Sequence, residues 1–569
     1  LMIQKDISKA ATVTYVTCPD FTTLETDASS AGTITFNIPS PCTVVFDNEI
    51  TISGYALTIT NIGDEVVFDG DDDTYHFDIY ADGNLTLNNL VLYNGYGYAG
   101  GSIFNEGVLT VTDSVFDDNY ADDAGGAIFN CCGTITLTNT NFIDNEAYYD
   151  GGAILVSGGT VTITGGLFDI NYADEYGGAI ASFDAVVSVS GAYFENNQAG
   201  YNSGGAIYTT EGVLTVTNST FEGNYANNEY GGGIGQEYGT TTITGSTFYD
   251  NYASDGGAVN NDYGDMTISH SSFYRNEAGD GAAIYNYAGA TLTVSNSTFY
   301  GNYASDEGGA IFDESSTSTF THVTMVSNTA ENDGDNVYIY DGSSVTFIAS
   351  IIAGGDCYVD SGSVNDGGNN IQYLATGCVG TDTDPMLGAF AGGVLVPADG
   401  SPAIDAMPAC ILANDQLGTA RPQGLACDIG AVEGGGGFVV PIPVAPTGPE
   451  VLGCVFDTPS GMAIGNVPDN TYCTVLMRNG NVVNYSGAVP AELIGLGVIF
   501  AVDVYRLEGG RSIVEFPDYG QICLRGNGRM FYMDARNAPR YPIEMPTQQV
   551  NGMTCAWIPA PGTLILTNN

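Results

Sequence analysis

Positively charged side chains are scarce in this chain. Its 569 residues include 11 Lys plus Arg against 66 Asp plus Glu, which gives a formal net charge of -55. Lys5 and Lys9 are the two lysines. Contacts to nucleic-acid phosphates or to anionic lipid need a basic face. The composition therefore excludes a generic nucleic-acid-binding protein and argues against adsorption to an anionic membrane surface.

Long apolar stretches are also missing. No apolar run reaches the roughly 18 residues that a spanning helix needs, so no membrane span is predicted. No basic leader followed by an apolar core is visible, and the chain begins Leu1-Met2. We therefore expect an exported protein, extracellular or on the cell surface, from which a leader has been removed.

The 12 cysteines group locally along the chain, which favours disulfides formed in an oxidising compartment. Two adjacent cysteines, Cys131 and Cys132, fit either a strained vicinal bridge or two buried thiols. The candidate disulfide cysteines are Cys18, Cys42, Cys357, Cys378, Cys410, Cys427, Cys454, Cys473, Cys523 and Cys555.

What the chain has in abundance is a repeat, typified by GGAIYTTEGVLTVTNSTFEGN at 204–224. A phenylalanine recurs at steps of 25 to 27 residues, and an asparagine follows it three residues later. Short segments alternate apolar residues with Thr between Gly, Asn and Asp, which predicts strands. A fixed period of about 26 residues holds roughly three strands and three turns, one coil of a parallel β-helix. We expect phenylalanines to stack inside it and asparagines to form a hydrogen-bonded ladder.

The repeats resemble the right-handed parallel β-helix repeats of bacterial surface proteins, including the polymorphic outer-membrane-protein type. SPAIDA at 401–406, DQLGTARP at 415–422 and CDIGAVE at 427–433 are similar to the C-terminal cap of the proteins called choice-of-anchor Q. Leu417 stands where that family usually has arginine. The resemblance covers roughly residues 30 to 433, and it implies export, a surface location and no catalytic activity.

Five segments are predicted, and all of them are β-structured or extended. Residues 1–80 form an N-terminal segment with entry coils that cover the first coil, 81–390 the β-helix and 391–433 its C-terminal cap. Residues 434–449 are a Gly/Pro linker or an exchanged strand. Residues 450–569 are a second domain, predicted to be a small disulfide-bonded β-sandwich or barrel.

Acidic residues precede the glycine pair of successive coils. They are either solvated turn acids or a ladder of oxygen ligands that gains from bridging Ca²⁺, the one cofactor considered. The seven are Asp123, Asp150, Glu175, Glu229, Asp255, Asp280 and Glu307.

Catalytic chemistry has little support in the sequence, and no catalytic residue is predicted. The predicted solenoid has one arginine, Arg275, and no lysine, which makes a lyase less plausible than a glycoside hydrolase. A tyrosine row would bind sugar rings or only stabilise the stack; it comprises Tyr120, Tyr172, Tyr225, Tyr252 and Tyr303. N-glycosylation sequons occur at Asn84, Asn218, Asn296 and Asn484.

The predicted function is that of a structural or adhesive surface protein that associates with itself. We expect an extracellular filament or sheath, assembled head to tail or by β-strand addition. The candidate donor segments are 1–11, 438–446 and 563–567. The alternative is a β-helix enzyme or binding protein that acts on polysaccharides.

Overall fold

The structure is a computed structural model that describes residues 11–434 with their side chains and, after residue 450, strands as backbone. The chain divides into two units, residues 1–443 and 444–569. The division falls inside the 434–449 segment that the sequence marks as a linker. Each unit is described by itself.

The first unit is a parallel β-helix, as predicted. One coil consists of Ile207–Thr217 in sheet A, Thr220–Glu222 in sheet B and Tyr225–Ala226 in sheet C. Successive coils pair in parallel and in register, so that Phe221 lies between Phe194 and Phe248. Coil pairing begins at Thr12–Tyr15 and ends at Thr381–Asp382.

Sheet A has 26 strands, which usually contribute two segments to a coil. Its strands are Thr12–Tyr15, Thr33–Phe36, Ile50–Ile52, Ala56–Asn61, Phe77–Ile79, Asn84–Asn88, Ile103–Asn105, Val108–Thr112, Ile128–Cys131, Thr134–Thr138, Ile154–Ser157, Thr160–Thr164, Ile180–Phe183, Val186–Ser190, Ile207–Thr217, Ile234–Thr244, Val259–Asp262, Asp265–Ser269, Ile284–Tyr287, Thr291–Ser295, Ile311–Glu314, Thr317–Thr321, Val337–Tyr340, Ser343–Ile348, Cys357–Val359 and Gly362–Asp366.

Sheet B has 15 strands, and sheet C consists of a block of 6 and a block of 3. The strands of sheet B are Cys42–Val45, Val66–Asp69, Val91–Tyr93, Val115–Asp117, Asn141–Ile143, Leu167–Asp169, Tyr193–Glu195, Thr220–Glu222, Thr247–Tyr249, Ser272–Tyr274, Thr298–Tyr300, Thr324–Val326, Ile351–Ala353, Ile371–Tyr373 and Thr381–Asp382. Those of sheet C are Tyr96–Ala99, Tyr120–Ala124, Glu146–Ala147, Tyr172–Ala173, Gln198–Ala199 and Tyr225–Ala226, then Glu277–Ala278, Tyr303–Ala304 and Thr329–Ala330.

Two ladders fill the interior, and both confirm the sequence prediction. The core phenylalanines stack with ring centroids 4.6 to 4.9 Å apart from Phe116 to Phe299, and each is fully buried. In the second ladder, Asn224 Nδ2 donates to Asn251 Oδ1 at 2.9 Å and to the Phe194 carbonyl at 3.0 Å. The same amide pattern runs from Asn119 to Asn328, so these buried polar groups are paired.

A helix covers the first coil, which the strand pattern did not predict. Helix α1 spans Phe21–Ser30, and the Asp20 side chain caps it by accepting from the Thr23 N–H at 2.9 Å. Phe21, Leu24 and Ala28 recur at spacings of three and four and are buried. The Phe21 ring lies 4.9 Å from that of Phe46, so α1 supplies the cover expected over the first coil.

The segment 391–433, predicted to cap the C-terminal end, instead lies along one side of the β-helix; together with residues 385–390 it is here called the flank segment (385–433). Gln416 Nε2 donates to the Ser271 carbonyl at 2.9 Å, and Thr298 Oγ1 donates to Gln416 Oε1 at 2.6 Å. The Ala431 N–H donates to Thr324 Oγ1 at 3.0 Å. These contacts place the segment on the outer face of sheet B, because Thr298 and Thr324 begin strands of that sheet.

A buried ion pair holds the flank segment together. Arg421 Nη1 donates to Glu433 Oε1 at 2.7 Å, and both side chains are fully buried. The guanidinium also donates to the carbonyls of Gly430 and Ala431, and to Asn296 Oδ1 at 3.2 Å. Arg421 therefore joins the stretch 430–433 of the segment to a coil of the β-helix.

The second unit is antiparallel, in keeping with the all-β prediction. It has a sheet of 8 strands and a sheet of 4. Strand Gly562–Thr567 lies between Val498–Glu508 and Arg529–Asp534 and pairs with both. The prediction that 563–567 is donated to a neighbouring molecule is therefore wrong for the folded unit.

Segments 1–10 and 438–446 lie outside the described residues. The strands are Val451–Gly453, Met462–Ile464, Thr471–Arg478, Asn481–Val482, Val498–Glu508, Arg511–Ile513, Gly520–Arg525, Arg529–Asp534, Ile543–Glu544, Thr547–Val550, Met553–Ile558 and Gly562–Thr567.

Candidate functional site

The candidate site lies on the outer face of sheet B, at the position directly after each core phenylalanine. Because side chains alternate along a strand, the residue after an inward-facing phenylalanine faces outward. Three successive coils place an acid there, and the next three place a tyrosine. In coil order these residues are Asp169, Glu195, Glu222, Tyr249, Tyr274 and Tyr300.

Glu222 is held between two tyrosines from the neighbouring coils. Its Oε2 accepts hydrogen bonds from the hydroxyls of both Tyr193 and Tyr249. The two hydroxyl oxygens lie 3.0 Å apart. The side chains of three successive coils are thereby joined across the face through one carboxyl oxygen.

The three acids share an environment that favours their protonated forms. Burial raises the pKa of Glu195 to about 7, with the charge of Asp169 adding to the effect. Burial also raises the pKa of Asp169 to about 6 and that of Glu222 to about 6. Glu195 Oε2 is buried and has no hydrogen-bond partner among the described residues. These carboxyl groups therefore exchange protons near neutral pH, a property that concentrates at functional sites.

The one cation beside this face is already engaged. Arg275 Nε donates to Asp250 Oδ1 at 2.9 Å, and Nη2 donates to the other carboxylate oxygen. The Arg275 guanidinium carbon lies 5.6 Å from the ring centroid of Tyr274 and 6.0 Å from that of Tyr249. The ion pair and the ring contacts fix Arg275 over the tyrosines, and its charge is largely balanced by Asp250.

The flank segment closes one end of the site with an aromatic side chain. Phe390 stacks on Tyr300 with ring centroids 4.3 Å apart, and it meets Tyr274 edge-on at 5.2 Å. Tyr274 stacks in turn on Tyr249 at 5.0 Å. Acids therefore lie next to a continuous aromatic wall. We call the set Asp169, Tyr193, Glu195, Glu222 and Tyr249 the carboxylate–tyrosine face.

The predicted acid column lies elsewhere, at the turn that leads from sheet C to sheet A. Asp150 Oδ1 accepts from the Tyr176 N–H at 3.3 Å, and Asp280 Oδ1 accepts from the Glu307 N–H at 2.9 Å. Burial raises the pKa of Asp150 and of Asp280 to about 6. In residues 11–434, no three Asp, Glu, His or Cys side chains come together in a group that would hold a metal ion. The Ca²⁺ ladder stays a prediction. All seven column residues are partly exposed: Asp123, Asp150, Glu175, Glu229, Asp255, Asp280 and Glu307.

Three predicted disulfides are confirmed in the first unit. They join Cys18 to Cys42, Cys357 to Cys378, and Cys410 to Cys427. The side chains of Cys454, Cys473, Cys523 and Cys555 lie outside the described residues.

The adjacent pair Cys131 and Cys132 differs from both sequence interpretations. The two residues are free thiols with sulfur atoms 3.8 Å apart, and Cys132 is exposed. The pair is therefore neither a vicinal bridge nor two buried thiols.

The glycosylation sequons differ in exposure. Asn84 and Asn218 are exposed. Asn296 is 2 % exposed, and its Nδ2 donates to the Asn414 carbonyl of the flank segment at 2.9 Å. A glycan on Asn296 is therefore incompatible with this packing, and that prediction is wrong for the folded protein. Asn484 lies outside the described residues.

The predicted tyrosine row is interrupted. Glu146, Gln198 and Glu277 occupy three of its positions in sheet C. Tyr225 and Tyr252 are adjacent and stack at 4.9 Å. Since its rings are not continuous, this row is a weaker platform for a sugar chain than the wall on sheet B.

The carboxylate–tyrosine face was not predicted from the sequence, because the column of acids recognised there was the one before the glycine pair. A usable signal was present in the residue after the core phenylalanine. That residue changes from acid in three coils to tyrosine in the next three, with Glu222 followed by Tyr249 at the change.

Two family models match parts of the first unit. Residues 177–330 match the right handed beta helix region, and residues 113–131 match the Chlamydia polymorphic membrane protein repeat. No curated protein and no solved structure matches the chain. Of the helices that the structure describes, none combines the length and the apolar character required to cross a membrane. The coils and these two matches together show a right-handed parallel β-helix, whose repeats are similar to those of surface proteins.

Proposed function

We propose that this surface protein is a non-enzymatic adhesin that binds neutral polysaccharide on the carboxylate–tyrosine face. The observation that carries the proposal is the junction of acids and tyrosines at Glu222 and Tyr249. Aromatic rings pack against the apolar faces of sugars, and carboxyl groups exchange hydrogen bonds with their hydroxyls. The strand spacing of ~4.8 Å offers one such contact per coil along the face, from an acid in three coils and from a tyrosine in the next three.

The charge of the face selects the class of polysaccharide. Acids line the face, and Arg275 is the cation beside it, already paired with Asp250. A uronate or sulfate group would meet negative potential there, in a chain with a net charge of -55. Neutral sugars avoid this repulsion, and positively charged amino sugars are attracted by the negative potential.

Binding of defined polysaccharides to the purified chain tests the proposal. We expect neutral glucans, mannans or chitosan-type oligomers to bind and polyuronates not to bind. Tyr249→Phe and Glu222→Gln should each weaken binding about tenfold, since each removes a hydrogen bond worth roughly 1 to 1.5 kcal/mol.

The matched control is a second tyrosine–glutamate pair on another face. Tyr208 donates its hydroxyl to Glu237 at 2.8 Å on the outer side of sheet A. Tyr208→Phe should leave the polysaccharide affinity unchanged. Equal losses at both pairs, or preferred binding of polyuronates, would reject the carboxylate–tyrosine face as the binding site.

Glycoside hydrolysis is the second candidate, favoured by two neighbouring carboxyl groups whose pKa values are both raised by burial. Glu195 and Glu222 lie on adjacent coils, and burial raises their pKa values to about 7 and about 6. Adjacent parallel strands lie ~4.8 Å apart, close to the ~5 Å between carboxyl groups in retaining enzymes. Glu195 would be the acid, and Glu222, oriented by two tyrosines, the nucleophile. Release of reducing ends that both Glu195→Gln and Glu222→Gln abolish would establish this activity, and intact polysaccharide after long incubation would exclude it.

Self-association into a filament or sheath is a separate proposal that rests on the sequence. Helix α1 covers the core of the first coil, which disfavours stacking through an open end. Strand Thr12–Tyr15 pairs on one edge with Thr33–Phe36, and among the described residues nothing pairs with its other edge. Electron microscopy with and without a calcium chelator tests both the assembly and the Ca²⁺ ladder. Filaments that dissolve on chelation would support Ca²⁺ at the acid column, and dispersed monomers in both conditions would reject assembly.

A further inference from the structure

The pair Cys131 and Cys132 has an unusual geometry at the surface of sheet A. Cys131 ends strand Ile128–Cys131, and Cys132 follows it with a left-handed φ of 68°. Neighbouring residues of a regular strand point to opposite faces, but the left-handed residue interrupts this alternation. Both sulfur atoms therefore lie together, 3.8 Å apart, with Cys132 exposed to solvent.

This sulfur spacing is that of two ligands on one tetrahedral metal ion. A Zn–S bond is about 2.3 Å, and the edge of a tetrahedron is about 1.63 times its centre-to-corner distance, or about 3.8 Å. We propose that Cys131 and Cys132 ligate a soft divalent metal ion such as Zn²⁺, and that the same pair from a second copy of this chain completes the site. The inference is independent of polysaccharide binding.

One chain supplies only half of the ligands that such an ion needs. Zn²⁺ takes four ligands in a closed site. Within residues 11–434, no group of three candidate ligand side chains surrounds a common point. The Ser157 carbonyl oxygen lies 3.6 Å from Cys132 Sγ, but it is already engaged in the pairing of the two neighbouring coils. Since Cys132 is exposed, an identical pair from a second copy has access and would complete four thiolates around one ion.

Cys131 and Cys132 differ from the other described cysteines because they are free thiols. The remaining six described cysteines are all in disulfides. Metal binding displaces the protons and releases them to solvent.

Titration of the full chain with Cd²⁺ tests the site, because cadmium thiolates absorb in the ultraviolet. We expect thiolate absorption that saturates at one Cd²⁺ per two chains, together with a dimer in native mass spectrometry, and displacement by Zn²⁺. Cys131→Ser and Cys132→Ser should each weaken Cd²⁺ binding more than about tenfold. Ser157→Ala retains both thiols and the backbone carbonyl, so it serves as the control and should bind as the wild type does.

Three results would overturn the proposal. Absence of thiolate absorption would mean that the pair does not bind soft metals. Saturation at one Cd²⁺ per monomer would reject the second copy. A purified chain whose mass shows these cysteines joined by a disulfide, to each other or to a second copy, would show that redox chemistry rather than metal binding uses the pair.

Discussion

Removal of one amide from the asparagine ladder should destabilise the β-helix far more than removal of an exposed asparagine. Asn224 is fully buried, and its Oδ1 accepts from both the backbone N–H and the Nδ2 of Asn197, at 3.1 and 2.9 Å. Its Nδ2 donates to Phe194 and to Asn251. Asn224→Ala therefore leaves two donors of Asn197 without partners and removes the side-chain donor to the Phe194 carbonyl.

The cost follows from counting the unpaired groups. Each buried donor that loses its partner costs roughly 1 to 3 kcal/mol, so the two donors together with the weakened Phe194 carbonyl cost about 3 to 5 kcal/mol when partial relaxation is allowed. Asn227 is the matched control, because it is exposed and three residues away. Asn227→Ala should change stability by less than about 0.5 kcal/mol.

Hydrogen exchange followed by mass spectrometry is the appropriate assay, because coils of a repeat protein open locally. Peptides that span the coils of Asn197 to Asn251 should exchange about a hundredfold faster or more in Asn224→Ala, since 1.4 kcal/mol is a factor of ten. Asn227→Ala should leave them unchanged. Equal exchange in the two variants would show that the buried amides do not hold the coils together.

Further predictions concern pH and the flank segment. Folding raises the pKa of Glu195 to about 7 and the pKa values of Asp169 and Glu222 to about 6. The unfolded values lie near 4, so the stability that these acids contribute is complete below about pH 4 and is lost as the pH rises through 6 to 7. The melting temperature should therefore fall from pH 5 to pH 8, and Glu195→Gln should reduce that fall; a profile that rises over this range would contradict the burial of these acids. Arg421→Met leaves the buried Glu433 charge unpaired at a cost of about 3 to 5 kcal/mol, so limited proteolysis should cut within 385–433 while circular dichroism of the coils persists. Resistance equal to that of the wild type would show that this ion pair does not hold the flank segment.

The interior of the β-helix is predictable from the sequence because one period corresponds to one coil. The positions of Phe221 and Asn224 in their ladders follow from counting residues. His270 and His322 occupy the same repeat position as Asn218 and Asn296, and all four residues have left-handed φ angles, between 44° and 55°. A repeated position has a repeated environment, so each copy supports the interpretation of the others.

Features that do not repeat were beyond the sequence pattern. Asn218 and Asn296 occupy equivalent repeat positions with the same sequon, yet Asn218 is exposed and Asn296 is covered by the flank segment. That cover depends on single contacts, such as Gln416 with Thr298, between residues more than a hundred positions apart. Periodicity carries no information on such contacts. The same reason explains why the segment was expected at the end of the solenoid and lies on its side.

The carboxylate–tyrosine face lies where the residue after the core phenylalanine changes its type from one coil to the next. A column of identical residues has no distinguishable position, so it defines neither the direction nor the start of a bound chain. On sheet B, the change from Glu222 to Tyr249 and the arrival of Phe390 mark one end of the face. The interior ladders hold the outward-facing residues of adjacent coils at a fixed spacing. The change of residue type on the outer face makes one interval along this face different from the others. The proposed binding of a repeating polymer rests on this one interval in an otherwise regular repeat.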